Sequence, residues 1–448
     1  MHPGTRTVAL LLFGSGMAAL VYQTAWQRML RLVFGASTAA SAAVIAIFLG
    51  GLGVGGIWLG KRAERSAKPL EFYGTLEAGV AVCAASTPAL VLLAETLYFG
   101  SGGSARLGVA GATALRVVLA LIVMGPAVVL MGGTLPAAAR SVESAQDRAR
   151  SQLAFLYAAN TAGAVVGALL GTFLLFEMFG TRLTLWIAAL INLLVALVAR
   201  SIGRDAEPVP VTAIAAGAEV TAGAGGARDG AAPVFTAHSS YVYGMAAMVG
   251  FAFVALELVW YRMLGPVLGG SSFMFGLILA VALAGIGTGG YFYSRRSPNA
   301  AVSLKVLAST LALEALCVAI PLALGDRIAF FAAYTRPMAA MGFSALVVSW
   351  TLISVAVVFP ASVVAGYQFP VLFALLGQGR ERVARQVGLA YAFNTFGSIA
   401  GALLLGFVMI PRLGAVASWR AMVLLLAVLF ALTLLFEFAQ TRTRPTAS

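Results

Sequence analysis

The stretch GMAALVYQTAWQRMLRLVFGAS that begins at Gly16 returns as GFAFVALELVWYRMLGPVLGGS at Gly250, 234 positions later. Gln23, Trp26, Arg28, Met29, Leu30, Gly35 and Ser37 thereby fall on Glu257, Trp260, Arg262, Met263, Leu264, Gly269 and Ser271. The same offset carries Gly51, Gly53, Gly55 and Gly56 onto Gly285, Gly287, Gly289 and Gly290. Towards the end of each copy it relates Pro126, Pro136, Tyr157, Asn160, Gly163 and Gly167 to Pro360, Pro370, Tyr391, Asn394, Gly397 and Gly401. A repeat held in one register and one direction over this length means two copies of one structural unit.

Each copy is too apolar to fold in water, since 61% of the chain is hydrophobic and only 10% is charged. A helix needs about 20 apolar residues to cross the hydrocarbon core. Runs of that kind lie near 8–33, 39–60, 72–97, 107–135, 153–176 and 183–199, with partners near 241–264, 272–293, 304–324, 342–376, 387–410 and 419–438. A membrane barrel would show short alternating segments instead of continuous runs. The expected fold is therefore an all-α polytopic membrane protein with 12 transmembrane helices in two parallel-repeat six-helix bundles, residues 1–200 and 238–448. Residues 201–237, rich in Ala, Gly and Pro, read as a flexible linker between them.

With twelve helices both termini share one side with every even-numbered loop, and that side collects Lys61, Arg62, Arg65, Lys68, Arg140, Arg148, Arg150, Arg295 and Arg296. Positive charge stays inside, so both termini are expected in the cytoplasm and the protein in the inner (plasma) membrane. The lipid bilayer is thus its first partner. The net charge of +13 needs no nucleic acid, because a basic cytoplasmic face meets anionic lipid. The first span is not a cleaved signal peptide, since its second half recurs at Gly250, deep in the chain. Cys83 and Cys317 are not repeat equivalents, and neither a disulfide nor a metal site is expected. No phosphate-cradling loop and no Ser/His/acid or metal constellation can be assembled, so neither a cofactor nor enzymatic activity is expected.

GLGVGG at Gly51 and GIGTGG at Gly285 match a dinucleotide fingerprint by letter. That fingerprint requires a strand-to-helix turn with exposed amides, whereas these glycines lie within spans. There the relevant pattern is small-xxx-small, as in Gly51/Gly55, Gly56/Gly60, Gly163/Gly167, Gly285/Gly289 and Gly397/Gly401, which lets helix backbones approach closely. The stripes fall on the second, fifth, eighth and eleventh spans, which are expected to make the tight helix contacts.

Ionisable groups inside a span cost roughly 2.5–3.5 kcal/mol at the bilayer centre and mark functional positions. Glu257 is the leading one, about two-thirds of the way across the seventh span. Trp260 and Tyr261 follow at i+3 and i+4, and together the three suggest a cage for an organic cation. In the first copy Gln23 replaces the acid, with Tyr22 and Trp26 beside it. The competing reading ties Glu257 to Arg28, Arg116 or Arg262. Glu77 and Glu314, early in the third and ninth spans, are expected to pair with Arg62, Arg65 or Arg296. Asn160 and Asn394 are expected to bond across helices as structural glue more than to touch a ligand. Pro126 and Pro360 bend the fourth and tenth spans, with MGGTLP and AGYQFP closing them at Pro136 and Pro370.

Three segments taken together carry a family resemblance: ALVYQTAWQRMLRLVFG with its copy ALELVWYRMLGPVLG, the GGLGVGG helix ending in KRAER, and MGGTLP followed by LYAANTAGAVVGALLGTFLL. They resemble the membrane domain of polytopic spermidine synthase-like proteins, a major-facilitator-type membrane domain joined in that family to a soluble synthase domain. The resemblance covers nearly the whole chain. No soluble aminopropyltransferase-like domain follows the last span, which closes on TRTRPTAS, so aminopropyl transfer is not expected of this chain. GGIWLGKRAER also loosely resembles the glycine and basic signature between the second and third helices of major facilitator transporters. That resemblance implies a cavity lined by the first, fourth, seventh and tenth helices. It would hold Glu257, Gln23, Trp26, Trp260, Tyr22, Tyr261 and Arg116. The function implied is a major-facilitator-type secondary transporter working by alternating access, with a small-molecule substrate, an organic cation such as a polyamine. The alternative is a non-transporting scaffold or subunit for a separately encoded soluble spermidine synthase-like partner.

Overall fold

The computed structural model describes residues 4–34, 38–142, 147, 150–208, 237–269, 272–297, 302–377 and 383–443. Among them there is no strand. The first half consists of α1 (Thr5–Phe34), α2 (Thr38–Glu64), α3 (Pro69–Gly100), α4 (Gly103–Gly132), the short α5 (Thr134–Val142), α6 (Ser151–Leu170) and α7 (Phe176–Asp205). The second half consists of α8 (Ala237–Val267), α9 (Ser272–Ser294), α10 (Leu304–Leu324), α11 (Asp326–Thr335), α12 (Phe343–Leu376), α13 (Val383–Leu404) and α14 (Ile410–Thr443). Most of the expected linker, 209–236, lies outside the described residues, and α7 runs past its expected start to Asp205.

The described residues hold ten continuous apolar helical stretches, of which Ser151–Asp205 has 55 residues and Val383–Ala439 has 57. At about 1.5 Å per residue either would be more than twice as long as the hydrocarbon core is thick. Each is broken by a glycine in a left-handed conformation, Gly180 (φ 66°) and Gly414 (φ 80°), so together they make four spans and the total is twelve. The break falls there because only glycine takes this conformation without a Cβ clash. Just before each break a π-helical turn, Gly171–Leu175 and Leu405–Met409, widens the helix. Gly180 and Gly414, like the two π turns, are 234 positions apart, so the repeat extends to irregularities that composition does not reveal.

Helix starts follow local chemistry. Asp147 accepts from the Ser151 and Gln152 amides at 3.0 and 2.7 Å and from Ser151 Oγ at 2.8 Å, which caps α6. Pro69 opens α3, where its missing N–H costs nothing. At the ends of the fourth and tenth spans the copies part company. In the first, the helix stops at Gly132 and restarts at Thr134 as α5. In the second, α12 continues through Pro370 to Leu376, so AGYQFP does not close its helix.

The glycine stripes are where helices touch, and their close contacts recur in the two halves. A Cβ at Gly55 would overlap the Val129 carbonyl, and one at Gly289 the Val363 carbonyl; Gly163 and Gly397 stand likewise against the carbonyls of Phe13 and Ala247. These contacts join α2 to α4, α9 to α12, α6 to α1 and α13 to α8. A second face of the same helices meets the other half. A Cβ at Gly53 would lie 3.5 Å from Thr395 and one at Gly287 3.6 Å from Thr161. Because Thr161 and Thr395 are again 234 apart, the halves exchange equivalent contacts, as two-fold symmetry demands. The end of α2, the end of α5, Arg150 before α6 and the facing ends of α12 and α13 meet at one end of the molecule, so the two copies run in the same direction.

At that end, called the basic end below, the apolar cores of the halves merge. Leu59, Ala137, Ala138 and Leu153 pack in one cluster with Val371, Leu372 and Val387. At the opposite end the first half keeps a separate core around Tyr22, Trp26, Phe48 and Leu185. The two cores are thus merged at the basic end and separate at the other, where contact between the halves includes the stacking of Phe173 on Phe273 at 5.5 Å.

Candidate functional site

The division runs between α1 and α8, which do not pack against each other. Gln23 on α1 and Glu257 on α8 occupy equivalent positions, and both are half-buried. Neither makes a hydrogen bond or ion pair among the described residues. The arginines considered as partners for Glu257 are engaged or distant. Arg116 donates to the Tyr98 hydroxyl and lies 4.9 Å from that ring, Arg28 stacks over Phe176 at 4.8 Å, and Arg262 is exposed. Glu257 is therefore a membrane-embedded carboxyl group without a counter-ion among the described residues, in a partly accessible position.

The aromatic cage expected around it is not formed. Trp260 is fully buried, with its ring edge-on to Phe253, while Tyr261 is 38% exposed and edge-on to Phe275. The reason is helical geometry. Residues i+3 and i+4 flank residue i about 100° apart, so one turns into the bundle and the other away from it. Tyr22 and Trp26 are also fully buried; they stack on each other at 5.6 Å, and Trp26 Nε1 donates to Thr87 Oγ1 at 3.1 Å. These rings belong to the α1–α3 core. Asn394 donates to the Ala246 carbonyl at 3.1 Å, and Asn160 lies against Gly16, so both amides sit at helix–helix crossings.

Glu77 and Glu314 also differ from expectation, because neither pairs with an arginine. Ser15 Oγ donates to Glu77 at 2.6 Å and Asn192 Nδ2 donates to its other oxygen, while Gln368 Nε2 donates to Glu314 at 2.7 Å. Arg62 instead stacks on Trp58, Arg65 is exposed, and Arg296 donates to the Tyr367 hydroxyl. Both acids lie well inside their helices, whereas the arginine heads remain at the basic end, as snorkelling side chains do.

The basic end carries a polar lock that composition alone does not single out. Arg150, 1% exposed, reaches from the first half to donate to the Phe373 carbonyl at 2.9 Å and to Gln386 Oε1. Gln386 Nε2 in turn donates to the Leu376 carbonyl at 2.9 Å. Glu64 accepts from the Ala384 amide at 2.8 Å and the Arg385 amide at 3.3 Å, capping α13 across the interface, and pairs with Arg140 at 3.6 Å. The hint in the sequence was Glu64, an acid within the basic KRAER run.

No family model matches the chain, and no curated protein matches it. Solved structures do resemble it. The human organic anion transporter MFSD10 (TETRAN) superposes with a TM-score of 0.58 at 14% identity, covering 96% of this chain and 100% of that one. The proton:xylose symporter XylE, a major facilitator superfamily protein, gives 0.52 at 14% identity over 96% and 94%. The E. coli fucose:proton symporter FucP gives 0.52 at 14% identity over 96% and 98%. At such identity the likeness concerns architecture alone, and its conclusion is that this chain has the major facilitator fold: twelve membrane helices in two parallel six-helix halves.

Proposed function

We propose that the protein is a secondary transporter that works by alternating access, its halves, residues 1–200 and 238–448, rocking about a cleft between α1 and α8. The observation that carries this reading is Glu257, a half-buried acid in a membrane helix with no partner among the described residues, on a helix that does not pack against its repeat counterpart α1. An unpaired intramembrane carboxylate lacks a protein cation to balance it, which a cationic substrate would supply. A small organic cation such as a polyamine is accordingly the proposed cargo, with Gln23 as the neutral hydrogen-bonding group on the facing helix. Rocking further requires that the basic end be able to open. Opening there would exchange the Arg150 and Glu64 hydrogen bonds for water and would also separate the apolar side chains that merge beside them. With the basic end in the cytoplasm, the arrangement is the outward-facing one.

The test is uptake of labelled spermidine into proteoliposomes. The wild-type protein is expected to transport, and Glu257→Gln to lose transport while eluting as the same folded species. Transport by the variant equal to wild type would remove Glu257 from the mechanism. Absence of any transport together with stable co-purification of a soluble synthase-like enzyme would favour the scaffold reading instead.

A further inference from the structure

Glu77 is enclosed between α1, α3 and α7 with 1% of its surface exposed. Its two oxygens accept from Ser15 and Asn192, and the hydroxyls of Tyr22 and Tyr73 face it. Asn192 Oδ1 and the Tyr22 hydroxyl are buried there without hydrogen-bond partners. No charged side chain of the surrounding helices pairs with Glu77 among the described residues. Arg200 of α7 lays its stem against Gly74, one turn before Glu77, Arg140 of α5 pairs with Glu64, Arg116 of α4 binds Tyr98, and Lys61 and Arg62 of α2 are exposed. The carboxyl group therefore has no ion-pair partner among the described residues, and the cluster is neutral only with a proton bound.

The internal repeat provides a control within the same molecule. Ser15, Tyr22, Tyr73, Glu77 and Asn192 correspond to Val249, Leu256, Leu307, Leu311 and Leu426. All five counterparts are aliphatic, and they are 4%, 0%, 0%, 0% and 0% exposed. At these five positions the corresponding junction of the second half is thus packed with aliphatic side chains alone. Aliphatic packing of similar volume is commonly as stable as a buried polar cluster or more so, so the fold supplies no reason for the polar version.

We propose that the Ser15–Glu77–Asn192 cluster is a proton-binding site, in which Glu77 takes up and releases one exchangeable proton. The proton is added to one carboxylate oxygen and leaves from it; no other bond is made or broken. Ser15 Oγ already lies at hydrogen-bond distance from the carboxyl, so the cage fits a proton without moving α1, whereas a metal ion would have to force α1 and α3 apart. Ser15 adjoins Gly16, which is seated against the backbone of Asn160, and Gln23 lies about two turns further along α1. Loading of Glu77 would therefore bear on the helix that lines the cleft. This coupling rests on the transport reading, but the proton site does not.

The test uses the full chain in lipid nanodiscs and infrared difference spectra across a pH titration. A carboxylic-acid carbonyl band is expected that is lost in Glu77→Gln and kept in Glu257→Gln and Glu314→Gln. The triple variant Ser15→Val, Glu77→Leu, Asn192→Leu, which copies the second half, is expected to fold and to lack the band. Spectra of Glu77→Gln identical to wild type would overturn the proposal. So would sodium-dependent thermal stabilisation at constant pH that disappears in Glu77→Gln, since that would make the ligand a metal cation. The band is read without any substrate, so failure of transport in proteoliposomes leaves it intact, and its absence leaves the transport assay to stand on its own.

Discussion

Arg150 of the first half donates to the Phe373 carbonyl of the second at 2.9 Å, and the guanidinium that makes this bond is enclosed by both halves. Its repeat counterpart is Ala384, so the lock is one-sided in a molecule whose scaffold is two-fold. A hydrogen bond to a charged group contributes about 1.5–3 kcal/mol. Arg150→Ala is expected to shift the balance of conformers toward opening at the basic end by about tenfold or more. Labelling of a cysteine placed at the buried Ala154 would accelerate by that factor, and Arg150→Lys, which keeps the charge but not the fork, would fall between.

Glu64 serves two partners, the α13 amides and Arg140. Glu64→Ala is expected to lower thermal stability by about 0.5–2 kcal/mol from the lost cap alone, and further because buried Arg140 loses its carboxylate. The double variant Glu64→Ala, Arg140→Ala is therefore predicted to be less destabilised than the sum of the two single changes. Strict additivity in thermal melts would show that the pair is not coupled.

Gly55 and Gly244 make opposite predictions for the same substitution. Alanine at Gly55 would overlap the Val129 carbonyl, while nothing lies within 4 Å of the Cβ position at Gly244. Gly55→Ala is expected to cost about 1–3 kcal/mol, as overpacking does. Gly244→Ala is expected to leave the melting temperature unchanged or slightly raised. The two melting curves decide whether the stripes are contact surfaces.

Trp26 and Trp260 are repeat equivalents with different indole environments. Thr87, which accepts from Trp26, is replaced at the corresponding place by Pro321, and Trp260 Nε1 is buried without a partner. Trp26→Phe should lose about 1 kcal/mol of hydrogen bonding beyond the change in packing, and Trp260→Phe should not. Equal losses of thermal stability in the two variants would contradict this assignment.

The extent to which the site was legible follows from which interactions are periodic. Gln23 and Glu257 stood out because a polar group in an apolar run at one repeat position is visible by inspection. The roles of Trp26 and Trp260 were not, since spacing along one helix cannot tell a ring facing the cleft from one facing α3. Glu77 was visible as an acid, but its partners Ser15 and Asn192 lie 62 and 115 positions away. Only comparison of each with Val249 and Leu426 would have singled them out.

By itself the amino-acid sequence determined the number of spans, the equal direction of the two copies and the helices that would touch, because hydrophobic length, charge at the loops and missing side chains act locally and recur at one offset. The tertiary structure alone decided at which end the cores merge, that Arg150 and Glu64 bridge the halves there, and that Glu77 is held by Ser15 and Asn192 while Glu257 is held by none of the described residues. Those outcomes depend on side chains from distant helices meeting in space, and a polar group's partners are set by where the backbone brings them.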